Sequence, residues 1–190
     1  RSARGMRAAR SSRRIRESAI LTSAGSSRSI PNRIAIAVQV AAWLRELTMA
    51  RDVALLIEND AARAERIGAD GVHIPADAAL YGQTREHLGQ RAIIGVGCND
   101  SRHDAMLLAE LGAHYVAFGS TPALSGRERE ERAGLIAWWS EIFVVPCVAW
   151  NVKTREEAAQ LARLGADFVA LSPDIWLAND APSRVAGIGS

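Results

Sequence analysis

Ile67-Gly68-Ala69-Asp70-Gly71-Val72-His73 is a phrase the chain uses again as Leu111-Gly112-Ala113-His114-Tyr115-Val116-Ala117 and as Leu164-Gly165-Ala166-Asp167-Phe168-Val169-Ala170. Each copy follows an amphipathic helical run and leads into a short apolar run. The glycine stands where a helix ends, because it takes a positive φ without steric cost. The β-branched and aromatic residues after it suit a buried strand. Each copy therefore predicts a helix ending and a strand beginning, and three copies predict a βα unit used repeatedly.

Outward from these phrases the alternation is regular. Strands are predicted at 18–23, 53–57, 71–74, 92–96, 115–118, 144–149 and 168–171. Helices are predicted at 31–51, 61–67, 83–88, 101–111, 135–142 and 154–164, with a weaker one near 174–178. The run Val53-Ala54-Leu55-Leu56-Ile57 has no polar interruption, as a parallel strand covered on both faces requires. Strict β-then-α order with short connections predicts a (β/α)8 TIM-type barrel. Such barrels usually need over ~200 residues. This chain has 190, so its first strand is expected to be missing, displaced or irregular. The alternative is a flavodoxin-like open sheet, which a glycine-rich turn after the first strand would have favoured. Residues 1–30 are expected to form a basic leader and 31–180 a single barrel domain.

The charge is uneven. Nine Arg against one Glu give residues 1–33 a charge of +8 and leave −6 for the remainder of a chain whose net charge is +2. The basic character thus belongs to the leader, whose Arg- and Ser-rich start resembles a transit peptide in composition. The rest lacks a basic helix or an aromatic RNA-binding signature, so no nucleic-acid partner is expected. No apolar run approaches the ~18–20 residues a membrane helix needs. Two cysteines, Cys98 and Cys147, without a CxxC, read as reduced thiols of a cytoplasmic protein.

In a barrel of this kind the chemistry sits in the loops after the strands. Asp60 and Asp77 follow neighbouring strands, and two carboxylates on one rim can hold Mg2+. Asp60 also suits a helix cap, and Asp77 a solvated turn. Ser125 to Arg132 reads as a long charged loop, a lid whose Arg127 or Arg129 could reach a phosphate. Asn151, Lys153 and Thr154 precede a helix, with Ser172 at the matching place after the last strand. Loops of this sort form the usual phosphate cup of the fold. Thr154 also reads as a plain N-cap. His73, His87, His103 and His114 lack metal-ligand spacing. Trp138-Trp139 reads as helix packing.

Taken in order, Ile57-Glu58-Asn59-Asp60, Gly68-Ala69-Asp70-Gly71-Val72-His73-Ile74, Ile94-Gly95-Val96-Gly97, Tyr115-Val116-Ala117-Phe118-Gly119, Val145-Pro146-Cys147-Val148-Ala149 and Gly165-Ala166-Asp167-Phe168-Val169-Ala170 resemble the thiamine phosphate synthase family, which includes thiazole tautomerases. The resemblance covers about residues 53–176. It implies a Mg2+-dependent transferase that joins a pyrimidine diphosphate to a thiazole phosphate and releases pyrophosphate. It puts Arg127 and Asn99 at catalytic positions and Asp60 and Asp77 at the metal. Glu58, Asn59, Gly97, Ser120, Asn151, Lys153 and Ser172 fall at substrate contacts. The family's phosphate-binding Gly-Gly falls on Asn151-Val152. The alternatives are a catalytically inactive barrel that binds a thiamine precursor or a partner protein, and a thiazole tautomerase-like enzyme. The resemblance is also compatible with a homo-oligomer.

Overall fold

All three glycines of the repeated phrase have positive φ: 64° at Gly68, 99° at Gly112 and 105° at Gly165. The residue after each closes the preceding helix with the same long backbone bond. Ala69 N–H donates to Ala64 O, Ala113 N–H to Leu108 O and Ala166 N–H to Leu161 O, at 2.8, 2.9 and 3.0 Å. Helix carbonyls that would be left without partners are thereby satisfied, and the chain is aimed into the next strand.

The aspartate of the first and third phrases adds a clamp. Asp70 N–H donates to Leu55 O while its Oδ2 accepts from Leu55 N–H at 2.8 Å. Asp167 repeats both bonds on Cys147, with Oδ2 2.9 Å from the amide nitrogen. One side chain thus ties the start of each of these strands to the phrase that opens the next.

The structure is a computed structural model and describes residues 18–21, 43–119 and 125–189. The leader, the predicted helix before residue 43 and Ser120 lie outside the described residues. Two compact units divide the chain between Ile94 and Gly95. In the unit ending at Ile94 the strands are β1 (Ser18–Leu21), β2 (Ala54–Glu58) and β3 (Gly71–Pro75). Helical residues 43–49 precede β2, α1 (Ala61–Ile67) links β2 to β3, and α2 (Ala78–Leu88) follows. The strands pair in parallel and in chain order, with Ile20 opposite Leu56 and Ile57 opposite Val72. Leu55, Leu56, Ile57, Val72 and Ile94 are at most 1% exposed. An added Cβ on Gly71 would come within 1.8 Å of Ile93 O, so the chain needs glycine there.

The boundary falls inside β4 (Ile93–Asn99). The second unit continues with α3 (Arg102–Glu110), β5 (Tyr115–Phe118), α4 (Gly126–Ile142), β6 (Cys147–Val152), α5 (Arg155–Leu164), β7 (Phe168–Leu171), α6 (Pro173–Trp176) and α7 (Ala181–Gly189). Strands β4 to β7 are again parallel and in chain order. Trp139 is fully buried, edge-on to Phe118 at 5.8 Å and stacked on Phe143 at 4.0 Å. Its indole N–H donates to Val145 O at 2.7 Å, which satisfies its one polar atom.

The β-then-α reading holds within each unit, with three departures. Helix α2 begins at Ala78, not Gln83, because Asp77 caps it: its Oδ1 accepts from Leu80 N–H at 2.9 Å. Strand β6 begins at Cys147, after Pro146. Val144 is 77% exposed, and Pro146, which has no N–H, only accepts, from Val116 N–H. The predicted lid from Ser125 to Arg132 is not a loop but the start of α4. A capping box opens it: Ser125 Oγ accepts from Glu128 N–H, and Ser125 N–H donates back to Glu128 Oε2 at 2.7 Å.

Candidate active site

Three asparagines take the left-handed conformation, each at the carboxyl end of a strand. Asn59 follows β2 at φ 55°, Asn99 ends β4 at 51°, and Asn151 lies near the end of β6 at 62°. Asparagine tolerates this region because its short polar side chain bonds locally. Two of the three mark β-bulges. The β4–β5 register slips between Gly97 and Asn99, and the β6–β7 register between Ala149 and Val152. Each bulge puts one extra residue at the strand's end and re-aims the backbone there, a feature common at barrel rims beside active sites.

In the unit ending at Ile94, Glu58, Asn59, Asp60 and Asp77 occupy the carboxyl ends of β2 and β3. Glu58 is half-buried, and burial pushes its carboxyl above the usual range. Beside it in the register is His73, 6% exposed, whose pKa burial lowers to about 4. Asn59 N–H donates to His73 O at 2.9 Å. Asp60 caps α1 through Oδ1, which accepts from Arg63 N–H at 2.8 Å, while Oδ2 pairs with Arg63 Nε at 3.2 Å. Asp77 caps α2 in the same way. Both carboxylates thus have structural work, yet a capping carboxylate keeps lone pairs for a cation. Among the described residues no group of three or more His, Cys, Asp and Glu side chains is placed to hold a metal. Carboxylate oxygens are the ligand type that Mg2+ takes, usually with several positions left to water and phosphate. A cation at Asp60 would take the place of the Arg63 guanidinium.

In the second unit the loops after β6 and β7 are brought together. Ser172 N–H donates to Val152 O at 2.8 Å. Lys153 Nζ lies 2.8 Å from Asp174 Oδ2. Lys153 first, then the Ser172 hydroxyl, holds the Asp174 carboxyl below its ordinary range. Asn151 and Ser172 are 3% and 1% exposed. Thr154 caps α5, its Oγ1 accepting from Glu157 N–H at 3.2 Å. Helix α5 therefore points its amino end at this rim, where an anion is favoured.

A cleft of about 190 Å³ is lined by Asn99, Asp100, Gly119, Glu128, Glu131, Arg132 and Leu135. Gly119 N–H donates to Asn99 O, so the β4 bulge shapes its floor. Arg127 is on the first turn of α4, where its Nε pairs with Glu131 Oε1 at 2.8 Å with 87% of its side chain exposed. Gly97 precedes the bulge. Cys98, inside it, is buried, its thiol donating weakly to Val96 O, and burial and Asp104 push its pKa up to about 12. That is an inert structural thiol. Arg132 and Glu157, which bracket the β6–α5 loop, were not singled out by the sequence reading.

Comparison with known proteins places the chain. The family model described as thiamine monophosphate synthase matches residues 32–175. A thiamine-phosphate synthase of Rhodospirillum centenum is 42% identical over 135 residues, 70% of this chain and 65% of that protein. One from Erythrobacter litoralis is 40% identical over 144 residues, 74% of this chain and 68% of that protein. The matched part thus spans about two thirds of the length of these curated relatives. Among solved structures, thiamine phosphate pyrophosphorylase from Pyrococcus furiosus superposes with a TM-score of 0.73 at 18% identity, covering 90% of this chain and 80% of that one. A 3-hexulose-6-phosphate synthase gives 0.60 at 17% identity, covering 89% and 84%. These likenesses show the fold to be the parallel βα architecture of barrel type that the repeated phrases predict. The chain belongs to the thiamine monophosphate synthase family.

Proposed function

We propose that the protein is a thiamine phosphate synthase, a cytoplasmic transferase acting on a pyrimidine diphosphate and a thiazole phosphate. The observation that carries the reading is the identity of 42% and 40% to proteins of that name. In the reaction the bond between the pyrimidinylmethyl carbon and the diphosphate oxygen breaks, and both electrons leave with pyrophosphate. The thiazole nitrogen then donates its pair to that carbon, leaving the positive charge on a thiazolium.

Each step asks something of the residues. A departing pyrophosphate needs positive charge, and Arg127 supplies a guanidinium once it exchanges Glu131 for the substrate. Asp60 and Asp77 would hold Mg2+, which supplies neutralisation of the diphosphate. Asn99 is assigned, with Arg127, to the catalytic centre, and Glu58, Asn59, Gly97 and Ser120 to substrate contacts. Asn151, Lys153 and Ser172, with the amino end of α5, are assigned to the thiazole phosphate. That rim suits a phosphate because Lys153 sits beside a helix terminus that favours negative charge.

The replacement of the family's Gly-Gly by Asn151-Val152 favours the binding-only alternative. Against it, Asn151 has φ 62°, a dihedral open to glycine, so the backbone path glycine permits is available to this chain. The two readings separate in one assay. Incubation with both phosphorylated precursors and Mg2+ releases pyrophosphate if the protein is a synthase. Binding of one precursor without release identifies the inactive barrel.

A further inference from the structure

Three backbone groups of the segment 150–154 are held by other parts of the chain, and Arg132 is at the centre of that hold. Arg132 projects from α4 and is 2% exposed. Its Nη1 donates to Trp150 O, and its Nη2 to Glu157 Oε1 at 2.5 Å. The other oxygen of Glu157 accepts from Lys153 N–H at 2.8 Å. Between these two bonds lie left-handed Asn151 and Val152, whose carbonyl accepts from Ser172 N–H. One guanidinium and one carboxylate thus fix the carbonyl at the start of the segment and the amide at its end.

We propose that Arg132, acting through Glu157, is a positioning residue for the thiazole phosphate: it sets the backbone of 150–154 that receives the anion. The proposal rests on the synthase reading of this rim and adds a residue to it. Glycine pairs let a backbone reach a phosphate by being unconstrained. Here the segment carries Trp150, Asn151 and Val152, and a left-handed bulge with side chains costs energy unless its surroundings determine it. The buried fork of Arg132 does so, since a guanidinium presents donors at fixed angles to two acceptors at once. A lysine has no such fork. Arg132 Nε, buried and without a hydrogen-bond partner, belongs to a group lining the 190 Å³ cleft with Asn99 and Gly119. The same residue therefore borders the end of β4 and governs the end of β6.

The test uses the full chain. Calorimetric titration with the thiazole phosphate alone is run beside steady-state kinetics for wild type, Arg132→Lys and the double variant Arg132→Met/Glu157→Gln, which removes the buried charge pair together. Amide exchange of the peptide spanning 150–157 is read in each. The expected result is a rise of about tenfold or more in Kd and KM for the thiazole phosphate, in line with the cost of misplacing a positioned group. KM for the pyrimidine diphosphate stays within about twofold and amide exchange at 150–157 accelerates. Equal changes in both KM values, or an unchanged Kd in a folded variant with faster exchange, would overturn the proposal. A wild-type chain that binds the thiazole phosphate but makes no product sinks the synthase reading and leaves this one standing. A wild-type chain that does not bind it overturns this one.

Discussion

Arg132 and Glu157 meet at 2.5 Å with side chains 2% and 15% exposed, a near-buried ion pair between helices α4 and α5. Two charges withdrawn from water are costly, and such pairs persist where each charge has further hydrogen bonds. Arg132 has Trp150 O, and Glu157 has the Lys153 amide. Removing one partner strands the other. Arg132→Ala is expected to lower unfolding free energy by about 3–5 kcal/mol. Arg132→Met/Glu157→Leu, which removes both charges, should lose much less. Urea denaturation of the three proteins checks the ordering, and equal losses in single and double variants would contradict it.

Asn151 and Asn99 test the left-handed bulges. Alanine at either position must hold a positive φ at a cost of roughly 1–2 kcal/mol, whereas glycine holds it freely. Asn151→Gly should therefore melt above Asn151→Ala, and Asn99→Gly above Asn99→Ala, in thermal unfolding followed by circular dichroism. Should alanine prove the more stable at both sites, the conformation assigned here is wrong.

Gly95 lies beneath the ring of Tyr115. A Cβ on Gly95 would stand 1.8 Å from Tyr115 Cζ, well inside contact distance. The two positions are opposite each other in the β4–β5 register. Gly95→Ala should cost about 1–3 kcal/mol by overpacking. A double-mutant cycle with Tyr115→Leu should recover a good part of that loss. Simple additivity would show that the ring does not occupy the glycine's space.

His73 ties stability to pH. Its pKa is about 4 in the folded chain against the ordinary 6.5, because burial disfavours the imidazolium. Below pH 6.5 the unfolded chain therefore binds a proton that the folded chain refuses. Stability should fall as pH drops from about 6.5 toward 4, by up to about 3 kcal/mol, and His73 should contribute no pH dependence above that range. Denaturation midpoints at pH 7, 6 and 5 for wild type and His73→Phe measure it. The two proteins would show the same pH slope if His73 titrated in the folded chain as it does in the unfolded one.

Much of this was legible in the sequence and some was not, for physical reasons. The Gly-Ala phrase was readable because its signal is local: a positive φ and a helix-ending bond within five residues. The clamp by Asp70 and Asp167 was not, since it depends on which strand lies alongside. The helix start at Ser125 could have been found. Ser125-Gly126-Arg127-Glu128 is an S-x-x-E capping box, overshadowed by the charge run after it. The bulges at Asn99 and Asn151 have no sequence signature of their own, because a register slip is a property of two strands. For the site, the barrel rule put Lys153 and Ser172 on loops after successive strands, and Ser172 N–H bonds Val152 O between those loops. The pairing of Arg132 with Glu157 and of Lys153 with Asp174 was not readable, because those ion pairs join residues 25 and 21 positions apart.

Asp60 and Asp77 both cap helices, so a change there must separate stability from metal binding. Asparagine is as good a cap as aspartate. Asp60→Asn and Asp77→Asn should melt near wild type yet lose Mg2+-dependent turnover by about 100-fold or more, on the scale of losing a charge-stabilising group at the reacting centre. Kinetics over a Mg2+ titration check this, and full activity in both variants would remove these residues from the metal site.

The most direct measurement incubates the 190-residue chain with the pyrimidine diphosphate, the thiazole phosphate and Mg2+ and follows products by mass spectrometry. The account predicts thiamine phosphate and pyrophosphate in equal amounts. Absence of both, from a folded protein that binds neither precursor, would contradict it.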